Sequence, residues 1–173
     1  MELSGKRIAI LAEDYYEDLE LWYPLLRLRE AGATVSVVGM PGEEAYYSKH
    51  DYPVEPDVAV NEVTAEDFDA LIVPGGYAPD YIRRHTPMLD LVKAVYDQGA
   101  IVAFICHAGW VPISAGIVDG KRVTSVTSIK DDLVNAGGIW EDREVVLDGR
   151  LISSRGISDL PAFCRAIIDA LRQ

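Results

Sequence analysis

One cysteine stands where a reactive side chain can be presented. Ile101-Val102-Ala103-Phe104-Ile105 is a short apolar run rich in β-branched residues, and Cys106-His107-Ala108-Gly109 follows without a spacer. Such a run predicts a strand buried on both faces. The turn leaving it then lies at the carboxyl edge of a sheet, where open α/β folds place their ligands. A strand-to-helix turn also lifts a side chain clear of its neighbours and aims it at a helix amino terminus. The free N–H groups and dipole there favour thiolate over thiol. The pattern is that of a nucleophile elbow with sulfur in place of a serine oxygen. His107 is either a surface residue or a group that polarises the thiol or a bound substrate.

Two other turns carry matching chemistry. Lys6 to Ala12 (KRIAILA) reads as a first buried strand and runs into Glu13-Asp14-Tyr15-Tyr16-Glu17-Asp18, an acidic turn opening a helix. Ala70 to Val73 reads as another strand and runs into Pro74-Gly75-Gly76-Tyr77, whose glycines let backbone N–H groups approach a ligand closely. Parallel strands align their carboxyl ends, so a nucleophile, an acid and a backbone oxyanion site meet through topology. Each feature also has a plainer role. First-turn acids complement a helix dipole, a Gly-Gly pair makes an ordinary turn, and a cysteine beside an apolar run can be simple packing. Cys164, on the apolar face of the last helix, is expected to be buried and inert.

The elements that must position these groups follow from spacing. Between Asp18 and Ala31, Leu19, Trp22, Leu25 and Leu26 recur at helical intervals and predict the inward face, with Gly32 ending the helix. Thr34 to Gly39 reads as a strand, and Val54 and Val58 to Val60 as short strands in a loop-rich stretch. Thr86-Pro87 starts a helix that Gly99 stops. Arg122 to Val126 reads as a strand and Ser128 to Ala136 as a helix. Asp148-Gly149 joins Glu144–Leu147 to Arg150–Ser153 as a hairpin. A last helix, Ser158 to Leu171, groups Leu160, Phe163, Cys164, Ile167, Ile168 and Leu171 on one face. The alternation predicts a mostly parallel sheet with helices on both sides. The 173 residues fit one domain, 1–173, with a sizeable core.

Composition narrows the function classes. A net charge of −12 predicts no nucleic acid and no anionic membrane among the partners. No apolar stretch approaches the ~20 residues of a membrane helix, and the acidic amino-terminal region is unlike a secretory signal. Two cysteines of different character make no disulfide framework. A cytoplasmic protein is the expectation. His50, His85 and His107 lie far apart, outside any ligand-spaced motif, and there is no P-loop or dinucleotide fingerprint, so neither metal nor cofactor is expected.

With these residues in view, the chain resembles the PfpI/ThiJ superfamily, in its PfpI-like intracellular cysteine protease and deglycase branch. The resemblance runs from Lys6 to the carboxyl terminus. It is carried in order by AEDYYEDLELWYPLLRLREAG, EDFDALIVPGGYAPDYIR, VAFICHAGWVPISAGIVDGKRVTSV and IKDDLVNAGGIWEDREVVLDGRLISSRGISDLPAF. It implies an α/β, flavodoxin-like three-layer sandwich with a class I glutamine amidotransferase-like elbow. It implies Cys106 as nucleophile, His107 as the histidine beside it, and Glu17 as the acid that hydrogen-bonds the thiol. Gly75 and Gly76 match the glycines lining the oxyanion site, and Asp80 falls where an acid reaches a neighbouring subunit's histidine in PfpI-like proteases. Homodimers or homohexamers are implied. Ala108-Gly109-Trp110 departs from the usual Gly-Pro-Gln, so Trp110 puts a bulky ring in the pocket wall.

Three functions fit. One is cofactor-independent, hydrolase-type turnover of small carbonyl compounds or glycated amines, as in glyoxalases and deglycases. A second is a peptidase or amidase using Cys106 and His107, with Asp80 from a partner subunit. The third is a redox-sensing or chaperone-like stress protein in which Cys106 is oxidised.

Overall fold

The strands that carry the site are apolar because both of their faces are covered. The computed structural model describes residues 1–173. Its elements in chain order are β1 (Arg7–Leu11), α1 (Asp18–Glu30), β2 (Thr34–Gly39), β3 (Tyr46–Tyr47), β4 (Pro53–Val54) and β5 (Val58–Ala59). There follow β6 (Ala70–Val73), α2 (Ala78–Ile82), α3 (Thr86–Asp97), β7 (Ile101–Ile105), α4 (Trp110–Ser114) and β8 (Arg122–Val123). The chain closes with α5 (Lys130–Asn135), β9 (Ile139–Trp140), β10 (Val146–Asp148), β11 (Leu151–Ser154) and α6 (Leu160–Leu171). Every residue of β6 and of β7 is buried.

Seven strands form the central sheet in the order β10-β11-β7-β6-β1-β2-β5. All neighbours are parallel except the β10–β11 hairpin. Helices α1 and α6 pack together on one face, and α2, α3 and α4 cover the other. This is the three-layer flavodoxin-like sandwich expected. From β1 the chain builds outward through β2 and β5, then returns to lay β6 against β1's other edge. The direction of winding therefore reverses between β1 and β6. A crevice opens at the carboxyl ends of strands at such a switch point. The turns after β1, β6 and β7 are the three that carry the candidate residues.

Two expectations about elements need correction. The strand read over Arg122 to Val126 is only β8, Arg122–Val123, and it pairs with β9 in a separate two-stranded sheet. Its continuation leaves the ladder because the Thr124 N–H donates to the Ser153 side-chain oxygen at 2.9 Å, not to a strand carbonyl. In α1, Leu19 and Leu26 point outward, 50% and 58% exposed. The inward face is Glu20, Leu21, Pro24, Leu25 and Leu28. A carboxylate on the buried side concealed that stripe, since inward positions are ordinarily apolar. By contrast, α6 buries all six residues assigned to its inward face. No helix is long and apolar enough to cross a membrane.

Candidate active site

Cys106 has φ +63°, the left-handed region that non-glycine residues seldom adopt. Such a backbone costs about 1–3 kcal/mol and persists where the surroundings over-determine it. Here β7 ends inside the sheet, and residues Cys106–Gly109 form a tight 3-10 turn leading directly into α4. The turn leaves the thiol half-buried at the switch-point crevice.

The acid against the thiol is Glu20. The expectation from the resemblance gave that place to Glu17, and the structure corrects it. Glu20 lies one helical turn beyond Glu17 on the inward face of α1, 1% exposed, and its Oε2 has no hydrogen-bond partner with regular geometry. Burial, reinforced by the charge of Glu17, pushes the Glu20 carboxyl up to about 8; the Gly75 N–H and the Cys106 thiol favour its anion less strongly. Gly75 is required here for space. A Cβ at Gly75 would collide with Glu20 Oε2 and come within 2.8 Å of Cys106 Cβ. Gly76, at φ +83°, has Tyr15 O and Glu17 N where its Cβ would go, each at 2.5 Å.

The thiol is not held ionised. Burial first and the Glu20 charge second push Cys106 up to about 12, while the N–H groups of His107 and Gly76 pull weakly the other way. The expected helix-dipole effect is small because α4 is only five residues long and stands behind the 3-10 turn. Burial therefore disfavours the free thiolate, and attack by the sulfur calls for a proton acceptor beside it. His107 supplies one. Its Nδ1 lies 3.4 Å from the Cys106 sulfur, and its Nε2 lies 3.1 Å from Ser128 Oγ. Burial and the nearby Lys49 charge lower the imidazole's pKa, so the ring is neutral and able to accept a proton.

Glu17 is buried and engaged elsewhere, with its Oε2 2.5 Å from Lys49 Nζ. Lys49 sits at the tip of the β3–β4 hairpin, and Glu17 holds its ammonium more firmly protonated than usual. The hairpin is latched to the acidic turn at several points. Tyr16 Oη donates to the Tyr52 carbonyl at 2.6 Å, and Ser48 Oγ donates to Asp18 Oδ1 at 2.7 Å. His50 Nδ1 lies 2.7 Å from Asp18 Oδ2, and the Lys49 N–H donates to the Tyr16 carbonyl at 3.1 Å. The latch places one cation among the carboxylates around the thiol.

Trp110 forms the wall beside His107, with ring centroids 5.4 Å apart, and its Nε1–H donates to Asp132 Oδ2 at 2.8 Å. Asp80 does not reach the thiol within the chain; it pairs with Arg84. With Tyr15, Tyr77, Tyr81 and Trp110 it lines an open recess of about 480 Å³ beside the site. Of the residues singled out in the sequence, Cys106, His107, Gly75 and Gly76 converge, Trp110 borders them, and Glu17 meets Lys49 instead of the thiol. The sequence reading missed Glu20, Lys49 and Ser128. Glu20 was signalled by its spacing from Glu17, three residues on along one helix. Lys49 and Ser128 sit on distant segments with no local pattern to mark them.

Comparison with known proteins assigns the family. The profile of the DJ-1/PfpI family matches residues 6–170, and the chain belongs to that family. A protein of Pyrococcus abyssi named as a deglycase is 43% identical, over 96% of this chain and 99% of its own. The crystal structure of Drosophila melanogaster DJ-1beta superposes with a TM-score of 0.90 at 31% identity, covering 96% of this chain and 90% of that one. A two-domain protein of Anabaena variabilis, containing DJ-1/ThiJ/PfpI-like and ferritin-like domains, superposes with a TM-score of 0.94 at 38% identity. That match covers 96% of this chain and 48% of the longer one, so the chain spans about half of the two-domain protein.

Proposed function

We propose that the chain is a hydrolase-type, cysteine-dependent deglycase or glyoxalase acting on reactive carbonyl compounds and their amine or thiol adducts. One observation carries the reading. The Cys106 thiol has the His107 imidazole 3.4 Å away and interacts with a buried Glu20 carboxyl pushed up to about 8. A base and an acid that titrates near neutrality, both acting on one sulfur, suit a reaction that moves protons in both directions.

As sulfur attacks an aldehyde carbon, the S–H proton passes to His107 Nδ1, the C–S bond forms, and the carbonyl π pair becomes an oxyanion. The N–H groups of Gly76 and His107, which favour charge on the sulfur, ease its ionisation. With a 2-oxoaldehyde, the Glu20 carboxylate, the form present once the group has lost its proton, then takes the proton from the former aldehyde carbon to give an enediol and returns it to the adjacent carbon. This leaves a thioester beside an alcohol. One carbon has been oxidised and its neighbour reduced within the same molecule, so no external electron acceptor is needed. Water hydrolyses the thioester to a 2-hydroxy acid and restores the thiol. With an amine adduct, the C–N bond breaks as the C–S bond forms, and the amine departs with the thiol proton.

The name of the Pyrococcus abyssi relative supports the same reading. It is tested by incubating wild type and Cys106→Ala with methylglyoxal, with its adduct on N-acetyllysine, and with a fluorogenic peptide. Hydroxy acid and free amine released by wild type alone support the proposal. Equal turnover by the variant, or cleavage of the peptide alone, overturns it.

A further inference from the structure

His107 can accept the thiol proton only if its Nδ1 carries a lone pair, and nothing within its own turn decides this. The two neutral tautomers of imidazole differ little in energy, so the partner of the far nitrogen decides which is present. That partner is Ser128 Oγ, 3.1 Å from Nε2, on the 3-10 turn Thr127–Ile129 that leads into α5. We propose that the Ser128 hydroxyl accepts a hydrogen bond from His107 Nε2–H and thereby holds the lone pair of Nδ1 towards the Cys106 sulfur, which makes Ser128 a positioning residue for removal of the thiol proton. The inference rests on the cysteine-dependent reading above.

The polarity of the chain of contacts sets the direction of that bond. In the proposed reaction the S–H proton passes to the imidazole, and the only ring nitrogen within reach of the sulfur is Nδ1 at 3.4 Å. A nitrogen that accepts from S–H cannot itself carry hydrogen, so the ring proton lies on Nε2 and Ser128 Oγ must accept it. The hydroxyl hydrogen stays free to turn to solvent, since Ser128 is exposed. Its side chain makes no other hydrogen bond, so its contact with His107 is not a by-product of a cap or turn. The other groups facing the ring do not compete for either nitrogen. Trp110 contributes the face of its indole, and its N–H is committed to Asp132. Lys49, on the β3–β4 hairpin, acts on the ring through its charge, and its ammonium is held by Glu17. Glu20 acts on the sulfur and is not among the groups that shift the imidazole.

The bond is within hydrogen-bond range and water can reach the same nitrogen, so its loss should weaken proton transfer without abolishing it. A neutral hydrogen bond contributes about 0.5–1.5 kcal/mol, which corresponds to roughly a two- to twelvefold change in rate. The test uses the full chain as wild type, Ser128→Ala and Ser128→Thr. With the histidine rings labelled with nitrogen-15, long-range nitrogen–proton correlations assign the His107 tautomer directly, with no substrate present. The proposal predicts Nε2–H in wild type and Ser128→Thr, and a mixture in Ser128→Ala. Alkylation of Cys106 by iodoacetamide across pH 6–9 should slow roughly two- to twelvefold in Ser128→Ala and recover in Ser128→Thr. A wild-type ring protonated on Nδ1, or alkylation profiles that superpose for wild type and Ser128→Ala, overturns it. Neither readout depends on aldehyde turnover, so failure of the proposed activity would be seen separately.

Discussion

The carboxyl of Glu20 and the thiol of Cys106 face one another in a pocket that resists holding two negative charges. Burial raises both groups; the Glu20 anion raises Cys106 further, while the Cys106 thiol, as a hydrogen-bond partner, favours the Glu20 anion. They titrate as a pair, so the charge on the sulfur depends on where the Glu20 proton is. This relationship orders most of what the site should do.

Replacing Glu20 with glutamine removes the like charge and keeps a hydrogen-bond donor of similar shape. The iodoacetamide–pH profile of Cys106, spread over two coupled steps in wild type, should become a single step. Its midpoint should move to lower pH by about one to two units. An unchanged profile in Glu20→Gln would mean that the carboxyl does not govern the thiol.

Stability should carry the same signature. The Glu20 pKa is about 8 in the folded chain against an ordinary value of 4.5, so the folded state binds this proton more tightly than the unfolded state does. Its contribution is complete below about 4.5 and is lost as pH rises towards about 8. The loss is on the order of 3–5 kcal/mol. Denaturant melts at pH 5 and pH 8.5 should show wild type losing more stability over that interval than Glu20→Gln. Equal losses contradict the assignment.

Lys49 is the cation whose field reaches Glu20, Cys106 and His107. Lys49→Gln should slow Cys106 alkylation at pH 8 about two- to fivefold at low salt, because a partly exposed charge contributes modestly. High salt should bring wild type towards the variant. A rate unaffected by both changes would exclude an electrostatic role for the hairpin tip.

Gly75→Ala puts a methyl group where the Glu20 carboxyl and the Cys106 Cβ already lie. Overpacking of this kind costs about 1–3 kcal/mol of stability. A displacement near 1 Å at the reacting group lowers turnover by about 100-fold. Thermal melts and methylglyoxal kinetics on the same sample should show both effects. Wild-type kinetics with an altered melting temperature would separate the glycine from the chemistry.

Cys164 has its pKa pushed up to about 12, as Cys106 does, but it lies 1% exposed on the buried face of α6. Access should therefore distinguish the two thiols, and mass spectrometry should find Cys106 alkylated while native Cys164 stays free until denaturant is added. Simultaneous labelling would show that α6 opens readily.

The sheet and elbow were legible in the sequence because they rest on local signals. β6 and β7 are uninterrupted apolar runs ending in turn residues, and α6 repeats its apolar face at regular spacing. The site was legible only where it coincided with those signals, at Cys106, His107, Gly75 and Gly76. Glu20 was hidden because it breaks the rule used to find helix faces. It is a carboxylate on the buried stripe of α1, while Leu19 and Leu26 face outward. Lys49 and Ser128 reach the site through tertiary contacts, from a hairpin latched to Tyr16 and Asp18 and from a turn before α5. The thiol's ionisation was misread for a related reason. A helix dipole follows from local sequence, whereas burial and the charge of a residue 86 positions away do not.

The proposed turnover requires a covalent bond between substrate and the Cys106 sulfur. Acid-quenching wild type while it is consuming methylglyoxal, then mapping the protein by mass spectrometry, tests this directly. The expected result is a substrate-derived acyl group on the Cys106 peptide that disappears as hydroxy acid accumulates, with neither seen in Cys106→Ala. Hydroxy acid formed at the wild-type rate by Cys106→Ala would contradict it.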